Sequence, residues 1–478
     1  MLRTTLLALQ MGRATALDNG VGLVPAMGYN TWNDFRCSPD MNAAAVMAIA
    51  DKMVELGLDK LGYRYLNLDD CWQKEELTDS GELIPDPVSF PDGIKPVADY
   101  VHSRGLLLGI YSCRGWKTCA FRGASSGHEA THARQFAEWG VDYLKHDSCW
   151  ASGSPEVAFA QYGAMRDALN ATGRQILYSL CGWSYWYAPK GAGLSNSWRI
   201  SADCDEWSNV YVAVRTNERL AEFARPGAFN DPDMLLGSSP DAPAHLTPAQ
   251  VQSQFSLWAV MAAPLLIGSR LLSMPRSDLA TYTNPEVISV SQDALGVQGT
   301  VVASSCPEYA PLDNWWMSPW SMPYDVCCVW TRALATAAVV LASSGMACWG
   351  RARTSAGRRF AMLVLQPLGV ACAIYIGVLW AYRPKVDECQ QVWARPLAGG
   401  AHALCFVNFA AESARVRCDA ACLAAVGLAK GVAVHVRDLV GRADVRMKKL
   451  HHEHIELELA GGGTSALWRI EAIEAREP

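Results

Sequence analysis

Two isolated aspartates carry the chemistry that the sequence offers first. Asp147 closes the run Tyr143-Leu144-Lys145-His146-Asp147, one position past the edge of an apolar strand. Asp203 follows Trp198-Arg199-Ile200-Ser201-Ala202 in the same way. Two carboxylates flanking a sugar ring are what glycoside hydrolysis needs: one attacks or stabilises the anomeric carbon and the other protonates the leaving oxygen. Lys145 beside Asp147 would keep that group ionised, and a less polar setting would hold Asp203 protonated. A single aspartate at a strand end serves equally well as a helix cap, so neither is informative alone. Asp69-Asp70 adds weight. Adjacent carboxylates repel unless something donates to both, and sugar hydroxyls or a metal would do so. A metal would ask for further ligands at fixed spacing, and none is apparent. Asn230-Asp231-Pro232-Asp233-Met234 is a second acidic cluster, which by itself reads as a turn. Together these segments supply six carboxylates with Lys145 and Arg199, and the aromatics Trp32, Trp72, Tyr111 and Trp183 lie close by in sequence. That set suits a polyol, with hydrogen bonds to its hydroxyls and an aromatic face against its C–H face.

The elements that must position these groups alternate. Strand-like runs at 63–68, 105–111, 141–145 and 176–180 are separated by amphipathic stretches such as 42–56 and 96–102. The second of these opens with Pro96 at a first helical position. Strand and helix in alternation over roughly 280 residues predict a parallel α/β fold. At least five strand ends carry charged, Cys or Trp residues. This favours a (β/α)8 TIM barrel, whose active site lies at that edge, over a doubly wound sheet. Beyond about residue 300 the pattern becomes short alternating strands at 390–396, 402–409, 414–418, 432–438 and 454–459. These predict a C-terminal antiparallel β-sandwich domain. The expected organisation is a signal peptide over 1–16, a barrel over 17–299 and a β domain over 300–478, interrupted by an apolar insert at about 306–385.

Composition sets the outer bounds. The chain has 478 residues, of which 50% are hydrophobic and 18% charged. This excludes a disordered chain or a coiled coil. The net charge of −6 leaves no basic field for nucleic acid. Sixteen cysteines, an apolar run over 4–11 and the Ala14-Thr15-Ala16 cleavage pattern point to a secreted or lumenal protein (lysosome, vacuole or extracellular). Asn170-Ala171-Thr172 is an N-glycosylation sequon. Within the insert, 360–382 is long enough to span a bilayer and 333–349 is marginal. The arginines Arg351, Arg353, Arg358 and Arg359 lie between them. Two readings stay open: a membrane-tethering hairpin with its basic loop in the cytosol, or a non-membrane or artefactual insertion. A homodimer is a further expectation. His451-His452-Glu453-His454 reads as surface histidines. Gly399-Gly400 and Gly461-Gly462-Gly463 read as turns. No phosphate loop, dinucleotide fingerprint or serine nucleophile elbow occurs, so no cofactor and no metal are expected.

At these residues the chain resembles the α-galactosidases of glycoside hydrolase family 27. The matching segments are Pro25-Ala26-Met27-Gly28-Tyr29-Asn30-Thr31-Trp32-Asn33, Leu66-Asn67-Leu68-Asp69-Asp70-Cys71-Trp72, and Phe90-Pro91-Asp92-Gly93-Ile94-Lys95. Further along come Gly109-Ile110-Tyr111-Ser112, Lys117-Thr118-Cys119, Trp139 through Cys149, Asn196-Ser197-Trp198-Arg199 and Asn230 through Leu235. They occur in family order and span about 17–299. The resemblance implies a (β/α)8 barrel with a C-terminal β domain, and retaining hydrolysis of terminal α-galactosyl groups on oligosaccharides, polysaccharides or glycoconjugates. It makes Asp147 the nucleophile and Asp203 the acid/base. Asp69 and Asp70 would hold the 4- and 6-hydroxyls, and Lys145 the 3- and 4-hydroxyls. Arg199 and Asp233 would hold hydroxyls nearer the anomeric side, and Trp32 and Met234 would pack on the ring. Tyr111 and Cys119 join the substrate-binding set. Cys181 and Trp183 would line the 2-position, where the bulk of Trp183 should exclude an acetamido group and favour galactose. The rivals are an α-N-acetylgalactosaminidase or β-L-arabinopyranosidase of the same family, and a catalytically dead sugar-binding barrel. The resemblance also implies disulfides Cys37–Cys71, Cys119–Cys149 and Cys418–Cys422. Departures from the family pattern are Gly182, His146 before the nucleophile, the cysteines Cys113 and Cys204 (buried thiols or an extra bridge), and the insert.

Overall fold

The computed structural model describes residues 16–309, 385–445 and 454–473. The expected signal peptide (save Ala16), both apolar segments of the insert, and His451, His452 and Glu453 lie outside the described residues. Among the described residues no helix is long and apolar enough to cross a membrane.

Eight parallel strands form the first sheet: β1 (Met27–Asn30), β2 (Tyr65–Asn67), β3 (Leu107–Cys113), β4 (Tyr143–Asp147), β5 (Leu177–Cys181), β6 (Ser197–Arg199), β7 (Phe229–Asp231) and β8 (Leu265–Ile267). Their spatial order is β8-β1-β2-β3-β4-β5-β6-β7. The curl closes just past β7, where Leu235 bridges Ile267 in parallel register and the Leu235 N–H reaches the Leu266 carbonyl at 2.8 Å. This is the TIM-barrel arrangement.

Side-chain alternation along the strands decides what faces the barrel axis. In β4, Leu144 and His146 are buried on the outer side: Leu144 joins the main hydrophobic core, and the His146 ring packs against Tyr162 of the helix Pro155–Ala171. Tyr143 belongs instead to an interior cluster with Leu177, Leu266 and Tyr65. Lys145 and Asp147 continue that inner row toward the C-terminal rim. Gly109 in β3 makes room inside the barrel, since a Cβ there would lie 1.9 Å from Asn67 Oδ1.

Helices bury one face against the strands. Ala43–Glu55 is capped by Asn42, whose side chain accepts from the Ala45 N–H, and it buries Val46, Ile49, Ala50 and Met53. The spacing i, i+3, i+4, i+7 is one helical stripe. Each large apolar side chain on it contributes about 1.5–3 kcal/mol by leaving water. The helix Pro248–Val260 carries a Thr247/Gln250 capping box and is buried on nearly all sides, because it lies between the barrel and the second domain.

That domain is an antiparallel β-sheet domain. Its strands are β9 (Thr300–Ser304), β10 (Gln390–Pro396), β11 (His402–Asn408), β12 (Ala414–Cys418), β13 (Val434–Asp438), β14 (Ala443–Asp444), β15 (Ile455–Leu459) and β16 (Thr464–Ala472). A six-stranded sheet runs β9-β10-β11-β16-β13-β14, and β12 pairs with β15. Both faces of the large sheet are buried, so its residues split by parity. Val392, Leu404, Phe406 and Trp468 pack with Val416 and Ile455 of the small sheet. Trp393, Cys405, Val407 and Leu467 join the core of the barrel side. Arg395 Nη1 donates to the Ala259 carbonyl at 2.6 Å across the junction.

Candidate active site

The strand register sets the site residues side by side. Tyr111 pairs with Lys145, Cys113 with Asp147, Asp147 with Cys181, and Arg199 with Asp231. At the C-terminal rim they enclose a pocket of about 430 Å³, its open mouth included. Its walls are Trp32, Asp69, Asp70, Tyr111, Cys119, Lys145, Asp147, Cys181, Trp183, Arg199, Asp203, Asp233 and Met234, joined by Asn33, Cys204 and Asp205. All thirteen sequence-derived catalytic and substrate-contact residues therefore converge. The three additions had signals: Asn33 ends the first matching segment, and Cys204-Asp205 directly follow Asp203. Trp72 does not line the pocket. It is fully buried, with its ring N–H donating to the Tyr111 carbonyl at 2.9 Å, so it is core. Asp231 lies beneath the pocket, accepting from the Asp233 N–H at 2.9 Å.

Asp147 is the last residue of β4 rather than the first beyond it. Its Oδ2 accepts from the Tyr111 hydroxyl at 2.8 Å and its Oδ1 from the Ser148 N–H at 2.7 Å. Burial pushes its carboxyl up to about 7, against the opposing pull of Lys145; the Asp203 charge adds to the rise. Asp203 behaves oppositely. Burial raises it, but Arg199, Lys145 and Arg36 together outweigh burial and hold it below the usual value. Arg199 Nη2 lies 2.9 Å from Asp203 Oδ1, and the Asp203 side chain keeps 27% exposure. The expected order of proton affinity, Asp203 above Asp147, is thus reversed. Burial dominates at Asp147, where the Lys145 ammonium is bonded to Asp69 Oδ2 at 2.7 Å rather than to Asp147, while the Arg199 guanidinium bonds Asp203 directly.

The acidic pair Asp69-Asp70 is satisfied by the protein itself. Asp69 accepts from Asn30 Nδ2 at 2.8 Å and Lys145 at 2.7 Å, and its Oδ1 accepts from the Asp70 N–H at 2.9 Å. Asp70 accepts from the N–H groups of Cys71 and Ala120, and burial raises it to about 6. Asp233 has φ +100°, a conformation disfavoured for a residue with a Cβ. Five bonds hold it there. Its N–H meets Asp231, its carboxylate takes Arg199 at 2.9 Å and the N–H groups of Cys204 and Met234, and its carbonyl takes Trp258 Nε1. Burial raises the Asp233 carboxyl as well. Trp32 and Met234 share one apolar cluster, and they supply the pocket's non-polar face.

Disulfides join Cys37 to Cys71, Cys119 to Cys149, Cys418 to Cys422, and Cys306 to Cys389. The last was not anticipated; its halves lie 83 residues apart, at the two ends of the insert. Cys113 and Cys204 are buried free thiols, not an extra bridge. His146 is buried, with Nδ1 2.8 Å from the Tyr178 hydroxyl, and burial drives it down to about 3, so the ring is neutral. Gly182 leaves room for Tyr187, whose ring a Cβ would meet at 1.9 Å. Among the described residues, Cys119, Asp147 and Cys149 form the one group close enough to hold a cation. Two of those sulfurs are bonded to each other, which removes them as thiolate ligands.

Residues 24–293 match the family described as "Alpha galactosidase A", and 387–468 match "Alpha galactosidase C-terminal beta sandwich domain". "Alpha-galactosidase 2" of Arabidopsis thaliana is 41% identical, over 67% of this chain and 78% of its own. "Alpha-galactosidase" of Coffea arabica is 43% identical, over 68% and 84%. The crystal structure of α-galactosidase I from Mortierella vinacea superposes with a TM-score of 0.69 at 26% identity, covering 95% of this chain and 98% of that one.

Proposed function

The chain belongs to the α-galactosidase (melibiase) family of glycoside hydrolases, and from that premise we propose that it removes terminal α-D-galactosyl residues with retention of configuration. The observation that carries the reading is the convergence of Asp147 and Asp203 on one pocket that also presents Lys145, Asp69, Asp70, Arg199 and Asp233 to hydroxyls and Trp32 and Met234 to a ring. Asp147 acts as nucleophile on the anomeric carbon. Asp203 protonates the departing oxygen, then takes a proton from the water that releases galactose. Tyr111 and the Ser148 N–H orient the attacking carboxylate. The productive complex needs Asp147 ionised and Asp203 protonated, the reverse of their order of proton affinity in the free protein, so substrate binding must shift that order. Galactose, attached to an oligosaccharide, polysaccharide or glycoconjugate, is the sugar that Trp183 at the 2-position favours. Four disulfides suit an oxidising, secreted or lumenal setting.

The test is hydrolysis of aryl α-galactoside beside aryl α-N-acetylgalactosaminide and aryl β-L-arabinopyranoside, with the first-formed anomer read by proton NMR. Preference for the galactoside, α-galactose formed first, and loss in Asp147→Asn are expected. A folded protein that turns over none of the three would overturn the reading, and β-galactose as first product would overturn retention.

A further inference from the structure

We propose that Arg36 is a positioning residue for the acid/base, strapping the wall that carries Trp32 to the loop that carries Asp203. The inference rests on the reading of Asp203 given above. Arg36 follows the one-turn helix Trp32–Phe35 beyond β1. Its guanidinium carbon lies 5.0 Å from the Trp32 ring centroid. Its Nη2 lies 3.1 Å from Asp205 Oδ1, joining residues 169 apart in sequence. Trp32, Asp203 and Asp205 all line the pocket, so this one side chain ties two rims of the mouth together.

The backbone gives a second, independent sign. Arg36 has φ +51° and ψ −138°, a region that suits glycine and strains any residue with a Cβ. A glycine would make the same turn without strain, so the turn itself does not call for an arginine. The turn is fixed on both sides: the Arg36 N–H donates to the Trp32 carbonyl at 2.8 Å, and the next residue, Cys37, is bonded to Cys71.

The Asp203 loop needs such a fixture. Residues 201–206 form neither helix nor strand. Arg199 holds the carboxylate from within the barrel, and Arg36 holds the loop from outside through Asp205. The charged groups around Asp203 are Arg199, Lys145 and Arg36, which favour its ionised form, and Asp147, Asp233 and the Arg36-paired Asp205, which oppose it; the Cys181 and Cys204 thiols, pushed up by burial, stay uncharged. Removing Arg36 both loosens the acid and raises its proton affinity.

The experiment compares wild type, Asp203→Asn, Arg36→Met, Arg36→Lys and Arg36→Gly on dinitrophenyl and methyl α-galactosides. A departing dinitrophenolate needs no proton, whereas methoxide does. In Arg36→Met, kcat/KM for the methyl glycoside should fall about tenfold, a fraction of what general acid catalysis supplies, while the dinitrophenyl value stays within about twofold. The acidic limb of its kcat/KM profile, which in the free protein belongs to Asp203, should move to higher pH. Arg36→Lys should restore most of the loss. Arg36→Gly should show the same selective loss with no fall in melting temperature. Asp205→Asn removes the strap from its other end but leaves the Arg36 charge in place, so it should reproduce the selective loss on the methyl glycoside without the upward shift of the acidic limb, which covers the case of a poorly folding arginine variant. Equal losses on both substrates, or an unmoved acidic limb, would overturn the strap. If Asp203→Asn shows the selective loss and Arg36→Met does not, the strap alone fails. If Asp203→Asn shows no selective loss, the acid/base assignment fails first.

Discussion

Asp147→Asn should abolish turnover and also stabilise the free protein at neutral pH. The folded carboxyl keeps its proton up to about pH 7, whereas an ordinary aspartate releases it near 3.8. Between those values the folded chain binds more protons than the unfolded one, so this group's contribution to stability falls as pH rises through the window. About three pH units at 1.36 kcal/mol each set a ceiling of about 4 kcal/mol. The substituted amide would carry no charge, but with one oxygen it would keep only one of the bonds now made by Tyr111 and Ser148. The lost bond costs about 1–1.5 kcal/mol. The net gain at pH 8 is then about 1–3 kcal/mol, which for a chain of this size is about 1–3 °C in melting temperature. At pH 4 the wild-type carboxyl is largely protonated and the variant should have no advantage. Thermal melts of both proteins at intervals from pH 4 to 8 make the comparison, with circular dichroism to establish the fold. A difference that opens in favour of the variant as pH rises is the expected result. A variant destabilised by a constant amount at every pH would refute the claim that burial outweighs Lys145 at this site.

Trp183→Ala should raise the rate ratio of aryl α-N-acetylgalactosaminide to aryl α-galactoside by at least about tenfold; an unchanged ratio would remove Trp183 from the 2-position. Gly182→Ala places a methyl group 1.9 Å from the Tyr187 ring, and overpacking of this kind should cost about 1–3 kcal/mol in denaturant melts, with activity falling as Trp183 shifts. Replacing residues 310–384 with a short Gly/Ser linker should leave aryl galactosidase activity within about twofold. Cys306 and Cys389 hold their Cα atoms 4.8 Å apart, so a chain short enough to turn can join them. Loss of soluble, active protein would refute that expectation.

Much of the fold was legible because its signals are local. The apolar runs that became β2, β3, β4 and β5 differ from the observed strands by about two residues at their ends. The stripe Val46, Ile49, Ala50, Met53 fits one helix face without reference to anything else. In the C-terminal domain the parity of β10 and β11 is readable as alternation. That both parities are buried, one on the barrel and one on the small sheet, is not, because alternating apolar residues do not say what covers them.

The site divides in the same way. Residue type and position at a strand end, with family resemblance, sufficed to select Asp147, Asp203, Lys145, Arg199 and the other residues that converge on the pocket, since a barrel gathers all its strand ends at one rim. The three disulfides that the resemblance implied are present in the fold. What the sequence by itself determined is therefore which groups stand on the rim and in what order. Only the tertiary structure decided how they are charged and tied. Lys145 is drawn to Asp69, Arg199 to Asp203 and Asp233, Arg36 to Asp205, and Cys306 to Cys389, while Trp72 turns into the core. These outcomes depend on distances between residues far apart in the chain and on how much water burial removes from each charge, and neither quantity is written in any local run of residues.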